Sequence, residues 1–86
     1  MKKRRVILYP LATEKSIKLM ESENKLIFVV DIKSTKPEIK NAIEEEFKVK
    51  VLDVKTLISP GGKKKAYVRF SDETPAIDVA TKLGLM

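Results

Sequence analysis

An aromatic residue stands between two basic residues late in the sequence, where Lys65, Tyr67 and Arg69 alternate with apolar residues. Successive side chains of a β-strand point to opposite faces, so this spacing brings the ring and both cations to one face. An aromatic ring can stack on a base while neighbouring cations hold the phosphate backbone. The pattern favours RNA binding. The alternative is that Tyr67 only covers a sheet face and that the cations are solvated.

Positive charge is concentrated in two short segments of the chain. One segment lies near the amino end and consists of Lys2, Lys3, Arg4 and Arg5. The other follows a Gly-Gly pair and consists of Lys63, Lys64 and Lys65. The formal net charge is +6, and these residues alone exceed it, so the rest of the chain is close to neutral. Concentrated positive charge suits phosphate neutralisation. The alternative is that the two segments only promote solubility.

A third basic group surrounds the start of a predicted helix. Lys36 and Lys40 are four residues apart, so they share one helical face, and Lys33 precedes the helix. The exposed amides at a helix start also attract phosphate. Pairing of Lys40 with Glu44, one turn further on, is an equally good interpretation.

The residue types argue against an enzyme. The chain has no Cys and no His, which excludes disulfides, Cys/His metal sites and the commonest general base. The glutamates at 44–46 are consecutive and fan around a helix, and no phosphate-cradling glycine loop is present. We therefore expect no catalytic site, no metal, no cofactor and no small-molecule substrate. No apolar run approaches the roughly 18 residues of a membrane span, so we expect an intracellular protein without membrane insertion.

Hydrophobic periodicity and capping signals predict seven elements in the order β-α-β-α-β-β-α. The expected strands are residues 6–8, 25–32, 49–58 and 65–70, and the expected helices begin after Thr13, after Thr35 and at Pro75, with Thr74 as the last cap. We expect an α+β fold with a four-stranded, mainly antiparallel sheet and packed helices, forming one domain over residues 1–86. The expected core includes Phe28, Val30, Ile39, Ile43, Val54 and Val68, and strict alternation places Leu52 on the same face as Val54.

Five short motifs resemble those of the universal large-subunit ribosomal protein L twenty-three family. They are residues 10–15, 24–30, 35–40, 54–57 and 64–68, which read PLATEK, NKLIFVV, TKPEIK, VKTL and KKAYV. Each motif is modest, but they occur in the family's order and spacing over nearly the whole chain. The turn at residues 59–64 is short where bacterial members carry a long extension, and the long amino-terminal extension of eukaryotic members is missing. The chain therefore resembles an archaeal-type member.

The resemblance implies a cytoplasmic protein of the large ribosomal subunit that binds large-subunit rRNA near the polypeptide exit tunnel. It implies contact with the neighbouring ribosomal protein L twenty-nine, and docking of signal recognition particle or other exit-site factors on the same rim. It adds Lys15 and Lys55 to the candidate RNA-binding residues, although the family often has Asn at the position of Lys55. It also makes Glu14, with Glu21, a candidate docking point. The alternative is that Glu14 is only a favourable charge in a first helical turn.

Two other functions compete with this one. The first is a single-stranded RNA-binding domain like the RNA-recognition motif, because residues 63–70 partly match that motif's basic and aromatic pattern but lack its glycine. The second is a small enzyme or ligand-binding domain of ferredoxin-like shape, against which the lack of His, Cys and a convergent polar cluster argues.

Overall fold

The computed structural model describes residues 6–84 and contains four strands and three helices. The elements are β1 (Ile7–Pro10), α1 (Glu14–Glu23), β2 (Lys25–Val30), α2 (Lys36–Phe47), β3 (Val51–Ile58), β4 (Lys64–Phe70) and α3 (Ala76–Lys82). Their order is the predicted one. The strands form one sheet in the order β1-β2-β4-β3, and every neighbouring pair is antiparallel. The expected α+β fold is confirmed, with β2 and β4 central and β1 and β3 at the edges.

Side-chain caps define where α1 and α2 begin. Thr35 accepts a hydrogen bond from the Glu38 N–H, while the Glu38 carboxylate accepts from the Thr35 N–H, which is the predicted capping box. Thr13 caps α1 as predicted, and Ser16 completes a second capping box that was not predicted. Ser closes this box because its hydroxyl can accept from the cap N–H as Glu does.

The start of α3 differs from the prediction. The cap residue is Pro75, without a side-chain cap of its own, and the expected Thr74 cap is wrong. The side chain of Asn24 caps the start of α3 instead. Its Oδ1 accepts from the Ala76 N–H at 2.6 Å, and its Nδ2 donates to the carbonyl of Thr74 at 3.1 Å. The backbone of Asn24 also ends α1 in the left-handed region at φ 55°, so this one residue joins two helices.

The hydrophobic core lies between the three helices and one face of the sheet. All six residues expected there are buried: Phe28, Val30, Ile39, Ile43, Val54 and Val68. The ring of Phe28 stacks on that of Phe47 with centroids 6.3 Å apart. The helices found among residues 6–84 lack the length and hydrophobicity of a membrane span.

A β-bulge at the start of β3 overturns the expected alternation along this strand. Val51 pairs with Phe70 and Asp53 with Arg69, so two steps along β3 match one step along β4. The extra residue is Leu52, which is 53% exposed and does not share the core face of Val54. The insertion lets both Val51 and Val54 reach the core, which strict alternation forbids.

Candidate nucleic-acid interface

The face of the sheet that carries Lys25, Ile27 and Val29 is not covered by a helix in the part of the chain that the structure describes. We call it the open face. The buried residues of the helices cluster with the alternate β2 residues Leu26 and Phe28, on the opposite side. Ile27 and Val29 are nevertheless only 3% exposed. Because no helix of the described residues covers them, we attribute this burial to the long side chains of neighbouring strands.

The strand register shows which residues lie beside Ile27 and Val29 on this face. Tyr67 of β4 lies between Ile27 of β2 and Lys55 of β3 in one cross-strand row. The adjacent row runs Tyr9, Val29, Lys65, Leu57, and the row on the other side runs Lys25, Arg69, Asp53. The open face therefore combines two tyrosines and four cations with one carboxylate.

The predicted grouping of Lys65, Tyr67 and Arg69 on one face is present. Arg69 is exposed, while Lys65 and Tyr67 are half-buried over the apolar residues beneath them. Tyr67 is the cross-strand neighbour of Ile27, and its side chain is neither fully buried nor fully exposed. The two interpretations of this residue are therefore compatible.

Three cations of the open face have no ion pair within residues 6–84: Lys55, Lys65 and Arg69. Asp53 lies directly opposite Arg69, but its Oδ1 accepts from the Val54 N–H at 2.9 Å. Lys25 differs, because its ammonium lies 3.0 Å from the carboxylate of Glu23. The positive charge available to an anionic ligand is therefore concentrated on β3 and β4, around Tyr67.

The three lysines at the hairpin tip do not act as one cluster. The Lys63 ammonium donates to the Tyr9 hydroxyl at 3.2 Å and lies 5.9 Å from the ring centroid, so it borders the open face. Lys64 pairs with Val30 and points to the face of the sheet on which the helices pack, which we call the helix side. There its ammonium donates to the Ser34 carbonyl at 2.5 Å. Lys65 returns to the open face. The tip is a tight turn in which Gly62 adopts φ 78°.

The start of α2 offers less to a phosphate than its lysines suggest. Pro37 has no N–H, and the Glu38 N–H already donates to Thr35, so only the Lys36 amide remains in the first turn. The Glu38 carboxylate also lies at this end. The side chains of Lys36 and Lys40 instead line a groove beside Leu52 and Asp53 at the edge of the sheet.

Lys40 forms no ion pair with Glu44, because the Glu44 carboxylate accepts from the Val51 N–H at 3.1 Å. Glu44 therefore connects α2 to the start of β3.

The remaining predicted residues lie elsewhere or outside the description. Lys33 is exposed in the loop before α2, where its N–H donates to Asp31. Glu14, Lys15 and Glu21 are exposed on α1, which packs against the helix side of the sheet, and Glu14 lies 4.0 Å from Lys18. Lys2, Lys3, Arg4 and Arg5 lie outside the described residues. Tyr9 and Lys25 were not predicted to belong to this surface, although the alternation of Lys25 with Ile27 and Val29 indicates that it shares their face.

Known proteins that are similar in sequence to this chain belong to one family. The family model described as Ribosomal protein L23 matches residues 5–81. The chain belongs to this family. A Large ribosomal subunit protein uL23 from Methanococcus aeolicus is 52% identical over 80 residues, which cover 93% of each chain. A protein of the same name from Haloquadratum walsbyi is 48% identical over 93% of this chain and 95% of its own.

A relative of that name from Trypanosoma brucei brucei is 49% identical over 95% of this chain, but the match spans only 50% of that protein. The relatives confirm the resemblance to an archaeal-type member. The chain is therefore a structural component of the large subunit of the cytoplasmic ribosome and not an enzyme.

Proposed function

We propose that this protein binds large-subunit rRNA near the polypeptide exit tunnel, with the open face of its sheet as the principal RNA-binding surface. One observation carries this proposal. The open face concentrates Lys55, Lys65 and Arg69 around the ring of Tyr67, and these cations have no ion pair within residues 6–84. Such a surface neutralises phosphates and offers a ring on which an unpaired base can stack.

The arrangement suits a looped or single-stranded part of rRNA better than a regular duplex. Bases in an A-form duplex are stacked on each other and do not offer a free face to Tyr67, whereas bases in loops and bulges do. Tyr9 lies in the adjacent cross-strand row and is 42% exposed, so it provides a second ring beside Val29. Its contact with Lys63 places the tip of the hairpin at the border of the same surface.

The helix side provides further contacts in this proposal. Lys36 and Lys40 share a groove at the edge of the sheet, and Lys15 and Lys33 are exposed. A protein embedded in the subunit meets RNA on more than one side, so these lysines bind phosphates that the open face does not reach. Lys2, Lys3, Arg4 and Arg5 lie outside the described residues, and we include their positive charge in the proposed RNA binding. Lys64 contributes mainly by fixing the hairpin, because its ammonium already donates to Ser34.

The exposed surface of α1 is the part of the molecule that we propose for docking at the exit site. Glu14 and Glu21 lie there, on the side of the sheet opposite the open face. With the open face on rRNA, α1 is directed away from it. Signal recognition particle or another exit-site factor would approach α1, and the neighbouring ribosomal protein L twenty-nine would contact the same rim.

Salt-dependent binding to a large-subunit rRNA fragment tests the RNA-binding proposal. Replacing Lys65 with Ala should flatten the log–log salt dependence of the affinity by about 0.7–0.9, the effect of one lost phosphate contact. Replacing Tyr67 with Leu keeps an apolar cover over Ile27 but removes the ring, and should weaken binding by about 1–3 kcal/mol with the salt slope unchanged.

The matched control for this experiment is Lys18→Ala. Lys18 is an exposed lysine of α1, with 78% of its side-chain surface accessible, and it lies on the helix side. This change should leave both the affinity and the slope close to those of the unmodified protein. Equal losses from the changes at Lys18 and Lys65 would show that binding follows net charge alone and would refute the role of the open face.

A further inference from the structure

The outer edge of β3 exposes main-chain hydrogen-bonding groups. β3 is the last strand of the sheet, and the Ser59 N–H donates to the Lys63 carbonyl at 2.8 Å across the hairpin. Main-chain groups of a strand alternate in direction, so Lys55 and Leu57 also face β4. The N–H and C=O groups of Thr56 and Ile58 therefore point outward, away from the sheet.

The first half of this edge is already occupied by side chains. The Val51 N–H donates to the Glu44 carboxylate at 3.1 Å, and the Val54 N–H donates to Asp53 at 2.9 Å. The bulge at Leu52 adds to this protection, because a bulge distorts the ladder that a further strand would need. The outward N–H groups of Thr56 and Ile58 have no such acceptor among residues 6–84. The available edge is thus confined to the second half of β3.

Apolar side chains lie exposed along this available half. Leu57 is 56% exposed on the open face, and Ile58 is 58% exposed on the other face. Proteins usually protect a free edge with charge, proline or a bulge. On β3 the bulge lies between Val51 and Asp53, and Lys55 is the one charged residue of the strand beyond Val54. A sheet edge recognises an extended peptide by hydrogen bonds to its main chain and by contacts with its side chains. The free main-chain groups of Thr56 and Ile58 provide the first, and the exposed side chains of Leu57 and Ile58 provide the second.

We propose that the second half of β3 binds an extended, acidic and apolar segment of another protein, which adds a fifth strand to the sheet. Donors and acceptors that alternate every second residue match a polypeptide backbone, whereas RNA has no corresponding row of N–H donors. The charges near the edge select the side chains of that segment while the open face is not bound to RNA. Lys55 lies on β3 itself, and Lys65 is the cross-strand neighbour of Leu57.

Cations are also present on the other side of the edge, where Lys36 and Lys40 line the groove that reaches Leu52 and Val54. This groove lies beside the occupied half of β3, so the cations nearest to Thr56 in the strand register are Lys55 and Lys65. Acidic residues in the bound segment would be complementary to them. A second copy of this chain is less suitable, because it would bring the same lysines towards each other.

The test uses the full-length protein and a blocked synthetic peptide of alternating Glu and Val, about eight residues long, the length of an ordinary strand. Amide hydrogen exchange measured by NMR should show that the peptide slows exchange at Thr56 and Ile58. A peptide with Lys in place of Glu should not. Protection confined to other residues, or equal binding of the Lys peptide, would refute strand addition at this edge.

A pair of matched variants isolates the available half of β3. Ile58→Glu places a negative charge beside the free edge and should weaken binding of the acidic peptide by roughly tenfold or more. Leu52→Glu changes an equally exposed residue at the occupied half and should leave binding unchanged. Thr56→Pro removes one outward donor without removing a bond to β4, and should abolish binding while the β4 amides keep their protection.

Equal effects of the charges at positions 52 and 58 would overturn the proposal, as would peptide binding to the Thr56→Pro variant with unchanged affinity. Concentration-dependent self-association in sedimentation, lost in the Ile58→Glu variant, would show that the edge takes a second copy and would also overturn it.

Discussion

Lys64 and Lys65 have different roles in this account, since Lys64 stabilises the fold and Lys65 binds RNA. Their variants should therefore separate an effect on stability from an effect on RNA binding. Both residues belong to β4 and are half-buried, but they point to opposite faces. Lys64 donates to the carbonyl of the buried Ser34, whereas Lys65 lies on the open face beside Tyr67. Replacing either lysine with Met keeps the aliphatic length of the side chain and removes only the ammonium.

Lys64→Met should destabilise the protein by about 1 kcal/mol. A hydrogen bond to a charged donor contributes roughly 1.5–3 kcal/mol, and partial exposure of Lys64 reduces this figure. For a domain of this size the loss corresponds to a fall in melting temperature of about 4–8 °C. Thermal unfolding followed by circular dichroism measures the shift. Lys65→Met should change the melting temperature by less than about 3 °C, since surface substitutions usually stay within roughly 0.5 kcal/mol.

RNA binding should show the opposite order. Lys65→Met should flatten the salt dependence of rRNA-fragment binding by about 0.7–0.9, while Lys64→Met should change it by much less. Replacing Lys63, Lys64 and Lys65 together with Ala should both lower the melting temperature and flatten the slope. Equal slopes for the two Met variants, with no loss of stability for Lys64→Met, would refute the assignment of Lys64 to the fold.

Three further changes test the core, the junction of the helices and the docking surface. Phe28→Ala should lower the free energy of unfolding by about 3–5 kcal/mol in urea titrations, and a loss below about 1 kcal/mol would contradict its place in the core. Asn24→Ala should cost about 2–4 kcal/mol, because it removes several hydrogen bonds and leaves Ala at positive φ, whereas Asn24→Gly should lose less. Glu14→Lys should leave incorporation into large subunits intact and slow association of signal recognition particle with ribosomes, more so at low salt. Unchanged association would leave Glu14 as a helix-terminus residue.

Local signals in the sequence account for most of the fold. The capping box of Thr35 and Glu38 with Pro37 predicts the start of α2 because the chemistry is complete within four residues. Alternation likewise predicts that Lys65, Tyr67 and Arg69 share a face. These features depend only on residues that are close in the sequence, so they can be predicted without knowing the tertiary structure.

The features that were missed depend on contacts between distant segments. The cap of α3 comes from Asn24, 52 residues before Ala76, and no pattern around Pro75 reveals it. The bulge at Leu52 is visible only from the register with β4. Tyr9 joins the open face because β1 pairs with β2, a pairing that the motif around Tyr9 does not specify.

Position-specific photo-cross-linking in assembled large subunits tests the central claim, that the open face is the rRNA-binding surface. A benzophenone amino acid would replace Tyr67 in one variant and Ile77, an exposed residue of α3, in another. We predict a cross-link to rRNA from position 67 and none, or far less, from position 77. A cross-link to rRNA from position 77 alone, or one from position 67 only to protein, would contradict the proposed interface.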